Sequence, residues 1–307
     1  MPRITLAMPV FNGENYIAQA IESILNQDFA DFELVITDNA STDGTEAIAR
    51  RYAEADPRVR YHRHPKNLGA APNYNSGYEL SSPDSEFLKW CAHDDYISPN
   101  YLSECLRILD ADPDVSLAFG ITQCVDENSD EITTVGHDIP SLDGLSGAER
   151  FGKVIRFSGT CFEIFGVYRK DVLRRTTLHR LYYGSDRALL AEVALLGKYA
   201  RCENAVFYNR EHRSRSINID DKRARRQWQF AEGGNKASFE HWGLIAHLFE
   251  IARRHPEVAP TAQTTWQVAS FAAKPMQLSR YALELVGAVS PSAQRWIRRQ
   301  AFRPLKA

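Results

Sequence analysis

The chain has 307 residues, of which 44% are hydrophobic and 25% charged, and its formal net charge is −2. These are the proportions of a soluble globular protein with one large domain, or a compact domain with a helical appendage. No run approaches the roughly 18 apolar residues of a membrane span, and the N-terminal residues lack the apolar core of a signal peptide. The five cysteines are scattered and form no Cys-x-x-Cys pair. They argue against a disulfide framework or zinc knuckle and favour a reducing cytoplasm.

The first half of the chain alternates strand and helix patterns. Apolar runs predict strands at residues 4–10, 32–37, 59–62 and 87–92, and apolar residues at helical spacing predict helices between them and at 101–109. Such alternation with short connections predicts a mostly parallel sheet with helices on both faces. In sheets of this kind, ligands bind beyond the carboxyl ends of the strands.

The second half is less regular. Further strands are expected at residues 115–119, 162–168 and 205–208 and a helix at 186–196, whereas residues 126–147, rich in Asp, Ser, Gly and Thr, predict a mobile loop. Beyond residue 216 the pattern is helical and is interrupted by four prolines, Pro256, Pro260, Pro275 and Pro291.

Basic and aromatic residues are concentrated in this C-terminal part. From residue 222 onward, 14 Lys and Arg stand against 5 Asp and Glu, a charge of +9 that leaves −11 on residues 1–221. Four of the five tryptophans also lie there: Trp228, Trp242, Trp266 and Trp296. This composition fits a helical subdomain, a face for an anionic membrane, or a nucleic-acid site. We expect the subdomain, keep peripheral membrane contact as the alternative, and expect no nucleic acid.

The most informative feature lies directly after the predicted strand at 87–92, where the chain reads His93-Asp94-Asp95. Two adjacent carboxylates at the end of a buried strand repel each other and lose solvation unless a cation or ligand is bound. Carboxylate oxygens suit Mg²⁺ or Mn²⁺, which usually arrive with a substrate's phosphates. The alternative is a solvated turn that leads into a helix start at Ser98-Pro99.

Two more acidic residues follow strands of the same predicted sheet, Glu14 after the first and Asp38 after the second. Because the strand-end loops of a parallel sheet converge on one crevice, these acids predict a polar pocket for a base, a ribose and phosphates. The Asp38 carboxylate can accept the N3–H of a uracil or thymine ring, and Phe11 can supply a stacking face.

Six short motifs stand in a fixed order along the chain. They read PVFNGENYI at 9–17, SILNQ at 23–27, TDNASTDGT at 37–45, NLG at 67–69, NSG at 75–77 and HDD at 93–95. In this order they resemble the opening of the family 2 (GT-A fold) inverting glycosyltransferases, strongly over residues 3–110 and more loosely over 160–217. The resemblance implies an α/β GT-A (Rossmann-like) fold, a mostly parallel sheet with helices on both faces and a C-terminal helical extension.

The resemblance also divides the chain and implies the donor site. Residues 1–110 would bind the nucleotide sugar, residues 111–217 the acceptor, and residues 218–307 would form a helical C-terminal region. The donor contacts implied are the base and ribose for Pro9, Phe11 and Glu14, the nucleobase for Asp38, the ribose and diphosphate for Asp94, and the diphosphate for Arg210. Asp95 and His212 would be ligands of a Mn²⁺ or Mg²⁺ cofactor.

Three positions bear on how far the resemblance extends. Asp186, which opens the predicted helix at 186–196, looks like the family's catalytic base, although the helix dipole also favours an acid in a first turn. Inverting transfer needs such a carboxylate, because it takes the acceptor's proton opposite the leaving diphosphate. Tyr74 stands where the family often has Arg, and His93 stands in place of a common Asp.

We therefore expect a metal-dependent inverting glycosyltransferase that uses a UDP- or dTDP-linked donor and a glycan or lipid-linked acceptor. It would be cytoplasmic, with the C-terminal region against the inner face of the membrane or in a homodimer. One alternative is a nucleotidyltransferase, disfavoured because Asn12-Gly13-Glu14 lacks the glycine-rich basic loop that holds a triphosphate. The other is a non-catalytic nucleotide-sugar-binding module, against which Asp95 and Asp186 are both present.

Overall fold

The fold is built on one nine-stranded sheet, seen in a computed structural model that describes residues 1–135, 139, 141–157, 159–182, 184–213, 215, 218, 219, 224, 228, 229, 231, 239–290, 292, 293 and 297. The strands are β1 (Ile4–Val10), β2 (Phe32–Asp38), β3 (Val59–Arg63), β4 (Phe87–Trp90), β5 (Tyr96–Ile97), β6 (Val115–Val125), β7 (Glu131–Val135), β8 (Val167–Arg169) and β9 (Lys198–Arg210). Their spatial order is β3-β2-β1-β4-β8-β6-β9-β5, and β7 pairs with β6.

Ten α-helices lie in the same described residues. They are α1 (Ile17–Leu25), α2 (Thr45–Ala55), α3 (Ala70–Glu79), α4 (Tyr101–Ala111), α5 (Gly147–Arg156), α6 (Lys170–Arg175), α7 (Ser185–Leu196), α8 (Glu240–Arg254), α9 (Thr261–Ala272) and α10 (Pro275–Val289). Two apolar cores form: one contains side chains of α1 and α4, the other side chains of α5, α7 and α8. The predicted sheet with helices on both faces is confirmed.

The parallel half of the sheet consists of β3, β2, β1 and β4. Every residue of β1, β2 and β4 is buried, as expected for strands covered on both faces. The register pairs Val10 with Asp38, so β1 and β2 end level with each other. It pairs Ala7 with Trp90, the last residue of β4, so β4 ends before β1 does. The residues after β4 therefore continue alongside the last residues of β1. This offset brings the acidic turn beside the loop that follows β1.

The second half departs from prediction in four places. Residues 126–147 are not one loop, because β7 pairs with β6 there; residues 136–138 and 140 lie outside the described part. The predicted strand at 162–168 is a 3₁₀ helix, Phe162–Phe165, followed by the short antiparallel β8. The predicted strand at 205–208 is the C-terminal part of β9, which has 13 residues and runs parallel to β6. Helix α5, with a capping box at Ser146 and Glu149, is absent from the sequence prediction.

The C-terminal helices share the core of the sheet domain. Leu248, Ile251 and Val268 are fully buried in the same apolar cluster as Leu189 of α7. Pro260 precedes α9 and Pro275 is the first residue of α10, so these prolines start helices, where proline is tolerated. Pro291 and Trp296 lie outside the described residues. Among the helices that are described, none combines the length and apolar character needed to cross a membrane.

Candidate active site

A cleft of about 1090 Å³ lies beyond the ends of β1 and β4 and extends to the first turn of α7. Six predicted site residues line it: Pro9, Phe11, Asp94, Asp95, Asp186 and His212. The fold thus gathers residues from distant parts of the chain into one cavity. The other three predicted residues, Glu14, Asp38 and Arg210, are not among the lining residues.

Asp38 lies behind the wall of the cleft and is fully buried. Its carboxylate accepts hydrogen bonds from the Ser41 amide at 2.8 Å, the Tyr61 hydroxyl at 2.5 Å and the Arg63 guanidinium at 3.0 Å. Burial, followed by the hydrogen bond to Asp38, raises the pKa of Tyr61 far above its usual value. Both Asp38 oxygens therefore already have protein donors, and its contact with a nucleobase stays a prediction.

Glu14 joins the loop after β1 to the start of α2. Its Oε2 accepts the Gly44 amide at 2.7 Å, and its own amide donates to Asp43 at 3.1 Å. A Cβ on Gly44 would lie 2.9 Å from that Oε2, so glycine leaves the room that this contact needs. The structure gives Glu14 a part in aligning two loops, and its contact with a ribose stays a prediction.

The last residues of β9 hold the acidic turn in place. Asp95, 6% exposed, accepts the Arg210 amide at 2.8 Å and the Asn209 side-chain amide at 3.2 Å. Asp94 binds His212 instead, with 2.9 Å between Oδ2 and Nε2. The predicted metal ligands Asp95 and His212 are therefore both in the cleft, but the contact made is between His212 and Asp94.

The two adjacent carboxylates have opposite electrostatic environments. Burial, then the charge of Asp94, raises the pKa of Asp95 well above its usual value. Burial acts the same way on Asp94, but the charge of His93 and the hydrogen bond from His212 outweigh it and lower the pKa of that carboxyl. His93 also packs tightly on the loop after β1, since a Cβ on Gly13 would lie 2.5 Å from its Cδ2. The sequence left His93 without a role; here it packs against Gly13 and holds Asp94 ionised.

Arg210 lies beneath the cleft with 1% of its surface exposed. Its guanidinium donates to the backbone oxygens of Asp94, Asp126 and Glu127 at 3.0, 3.2 and 3.0 Å. It also donates to Ser129 at 3.1 Å and to Gln19 at 2.5 Å. The side chain that was expected on the diphosphate is thus fully used in joining the acidic turn to its neighbours.

Replacing Arg210 by Met should destabilise the protein by about 3–5 kcal/mol, because the three backbone oxygens around this buried side chain would lose their donor. Urea unfolding measures this loss. Arg201→Met is the matched control on β9: its partner Glu203 is exposed, and we expect a change of at most about 1 kcal/mol. Equal destabilisation by the two variants would contradict the structural role of Arg210.

Asp186 stands in the first turn of α7 and lines the same cleft. The turn before it needs glycine, since Gly184 at the N-cap position has φ +88°, and Ser185 is the first helical residue. One Asp186 oxygen accepts the Arg187 amide at 2.8 Å. Burial raises the pKa of Asp186, a shift that makes an ionised carboxylate a stronger base.

The acidic turn fits a cation that is delivered with phosphates. No group of three or more His, Cys, Asp or Glu side chains arranged to hold a metal ion occurs among the described residues. Mg²⁺ and Mn²⁺ do not require one, because one or two carboxylates with substrate phosphates and water complete their coordination. Asp94 and Asp95, two adjacent carboxylates in the cleft with His212 beside them, match this donor set.

Sequence reasoning missed two basic residues next to His212. Arg213 and Arg215 both line the cleft. Arg215 donates to the Asn209 side chain at 2.9 Å and pairs with Glu211. The basic stretch 210–215 marked this region in the sequence. Its pattern could not distinguish Arg210, which is buried, from Arg213 and Arg215, which line the cleft.

A parallel half-sheet with an acidic turn beyond its last strand, β4, continued by a mixed half that supplies a further carboxylate, is typical of a glycosyltransferase of GT-A type. Residues 5–176 match the model for glycosyl transferase family 2, and the chain belongs to this family. The matched residues include the acidic turn but end before Asp186.

Relatives and solved structures agree with this assignment. A Campylobacter jejuni protein, GalNAc(5)-diNAcBac-PP-undecaprenol beta-1,3-glucosyltransferase, is 28% identical over 62% of this chain and 59% of its own length, so the chain spans about three fifths of that relative. Staphylococcus aureus TarS 1-349 in complex with UDP-GlcNAc superposes with a TM-score of 0.58 at 17% identity, covering 94% of this chain and 91% of that one. The mannosyltransferase PcManGT of Pyrobaculum calidifontis, in complex with GDP-Man and Mn²⁺, gives 0.52 at 19% identity, with coverages of 98% and 84%.

Proposed function

We propose that this chain is a metal-dependent inverting glycosyltransferase that moves one sugar from a UDP- or dTDP-linked donor to a hydroxyl of a glycan or lipid-linked acceptor. The observation that carries this proposal is the position of Asp186 in the same cleft as the Asp94-Asp95 turn. Sugar transfer by single displacement needs a base on one side of the reacting carbon and charge neutralisation on the other.

The donor site would use residues of both halves of the sheet. Pro9 and Phe11 offer apolar surface to a base, and Phe11 is 39% exposed. Arg213 and Arg215 bring guanidinium groups suited to phosphate oxygens. The solved relatives in complex with UDP-GlcNAc or GDP-Man support a nucleotide sugar as the donor class.

The Asp186 carboxylate would take the proton of the acceptor hydroxyl. The hydroxyl oxygen would bond to the anomeric carbon as the bond between that carbon and the diphosphate breaks. Asp94 and Asp95, with His212 beside Asp94, would hold the Mn²⁺ or Mg²⁺, which when bound neutralises charge on the leaving diphosphate. Arg213 and Arg215 would add positive charge on the same side. His212 would at the same time keep the Asp94 carboxylate oriented.

A donor screen tests the proposal. We expect a UDP- or dTDP-linked sugar with Mn²⁺ to raise the melting temperature by mass action, and EDTA to abolish most of this shift. Release of nucleoside diphosphate in the presence of an acceptor should follow the same metal dependence. Donor binding that is unchanged by EDTA, with no turnover on a panel of glycan and lipid-linked acceptors, would reject the metal mechanism.

The acceptor side points to a membrane surface. Helix α10 buries its polar Gln277 and Glu284 and exposes Leu278, Leu285 and Val289, which are 54%, 51% and 88% exposed. In sequence, residues 291–307 that follow it contain five basic and no acidic side chains. An apolar helix face next to basic residues suits an anionic lipid surface, and the undecaprenol-linked substrate in the name of the Campylobacter relative agrees with it. We therefore propose a cytoplasmic enzyme that binds the inner face of the membrane.

Vesicle sedimentation measures this contact. The protein should sediment with phosphatidylglycerol vesicles and not with phosphatidylcholine vesicles, and Leu278→Glu with Leu285→Glu should abolish the binding. Homodimerisation through α10 is the competing outcome. Light scattering that shows a wild-type dimer, a monomeric double variant and no vesicle binding would replace the membrane by a second copy.

A further inference from the structure

Two uncharged polar side chains lie on the cleft wall near both the acidic turn and Asp186. They are Tyr74 on α3 and His179 in the loop before α7. Their rings are in edge contact, with centroids 5.2 Å apart. The mechanism derived above uses neither of them.

Tyr74 lines the cleft together with Asp94, Asp95 and Asp186. Its backbone oxygen accepts the Trp90 indole N–H at 2.9 Å, which fixes its part of α3 against the end of β4. Among the described residues, no hydrogen-bond partner is found for the hydroxyl. Burial, then the charges of Asp94, Asp95 and Asp186, raises the pKa of Tyr74 far above its usual value. The phenol therefore remains a neutral O–H donor.

His179 is held in place by Asn75, one residue after Tyr74. The Asn75 side chain donates to the His179 carbonyl at 2.9 Å and accepts the His179 amide at 3.1 Å. The imidazole ring also makes an edge contact with Trp90 at 5.1 Å. The side chain is therefore positioned by α3 and β4 rather than by its own loop alone.

The His179 imidazole has an unused hydrogen-bonding atom. The residue is 8% exposed, and its Nε2 is buried without a partner among the described residues. Burial lowers the pKa of His179 to about 4, so the ring is neutral at pH 7. A buried polar atom without a partner is costly, and a ligand that supplies a hydroxyl or amide group would remove this cost.

We propose that Tyr74 and His179 form the subsite for the transferred sugar, and that they select an uncharged hexose or N-acetylhexosamine. The proposal rests on the proposed transferase function and adds the donor sugar class to it. Uncharged donors and acceptors match sugar hydroxyl and acetamido groups. The carboxylate of a uronic acid would instead be placed among Asp94, Asp95 and Asp186, where like charges oppose its binding.

The test separates sugar recognition from nucleotide recognition. Binding of UDP and of UDP-linked hexose, N-acetylhexosamine and uronic acid is measured by calorimetry for wild type, Tyr74→Phe and His179→Phe. Both substitutions keep the ring contact and remove the polar atoms. We expect each to weaken binding of the uncharged UDP-sugar about tenfold, equivalent to about 1.4 kcal/mol, while UDP affinity stays within about twofold. Tyr78→Phe, on the same helix but away from the lining residues, should change neither affinity.

Three outcomes would overturn the subsite. They are equal losses for UDP and UDP-sugar, no loss in either variant, and a wild-type preference for the uronic acid donor. Wild-type protein that binds and transfers no nucleotide sugar would overturn the proposed function together with the subsite. Wild-type turnover with unaffected variants would overturn the subsite alone, and melting temperatures of the variants verify that they are folded.

Discussion

Asp186→Asn should reduce sugar transfer by about 10²–10⁴-fold, because the acceptor hydroxyl would lose its proton acceptor. Donor affinity should remain unchanged, since the side chain keeps its size and belongs to α7 rather than to the acidic turn. Single-turnover transfer and donor titration measure the two effects separately. A loss of donor binding as large as the loss of rate would contradict the role of a base.

The matched control is Asp171→Asn. Asp171 also stands in the first turn of a helix, and it accepts the amide of the next residue at 2.8 Å, as Asp186 does. It is not among the cleft-lining residues. If the acid at 186 serves only the helix, the two variants should behave alike; we expect full activity in Asp171→Asn.

The pH profile gives a second signature of Asp186. A base acts in its ionised form, so transfer should fall as the pH drops through the folded-state pKa of this residue. Burial raises that pKa above the ordinary value of 3.8. The acidic limb of kcat/KM should therefore lie above pH 3.8 and report an ionisation that Asp186→Asn removes.

Asp95→Asn should lower transfer by about 10³-fold and remove the effect of Mn²⁺ on donor binding, because one charge of the cation site is lost. Without metal, the same variant should be more stable than wild type. The folded-state pKa of Asp95 lies above 3.8, so its ionisation favours unfolding. This loss of stability is absent below pH 3.8 and grows as the pH rises through the folded-state pKa.

Thermal unfolding in EDTA at pH 7 and pH 4 measures the effect. The melting temperature of Asp95→Asn should exceed that of wild type at pH 7 by a few degrees, and the difference should shrink at pH 4. Asp112→Asn is the control, a half-exposed carboxylate outside the cleft that accepts the Asp114 amide at 2.9 Å and pairs with Lys198 at 3.1 Å. A lower melting temperature for Asp95→Asn at pH 7 would show that the hydrogen bonds of this carboxylate outweigh its charge repulsion.

The parallel half of the fold could be read from the sequence because each strand is a continuous buried run. β1 was predicted with its observed bounds, and β2, β3 and β4 within two residues at each end. The mixed half could not be predicted in the same way. β8 has only three residues, and β9 is longer than the apolar run at 205–208 that predicted it. The pairing of a three-residue strand such as β8 depends on tertiary contacts that have no periodic pattern in sequence.

The candidate site was predictable to the extent that strand ends determine it. Asp94, Asp95 and Asp186 follow a strand or open a helix, and all three reach the cleft. Arg210 differs because orientation decides its role: alternation along β9 turns it inward, whereas Arg213 lies past the end of the strand. The Tyr74–His179 contact joins residues more than a hundred positions apart, and it is visible only when the chain is folded.

β9 links the helix that carries Asp186 to the acidic turn. The strand begins two residues after α7 ends, and its last residue donates to Asp95. One helix–strand unit therefore carries the proposed base, Asp186, at its start and the residue that supports the acidic turn, Arg210, at its end. An insertion at Gly197, where a Cβ would already lie 2.6 Å from Ser116, would shift the register of β9 on β6 and alter both sites together. The short connection at Gly197 therefore ties the position of Asp186 to that of the acidic turn.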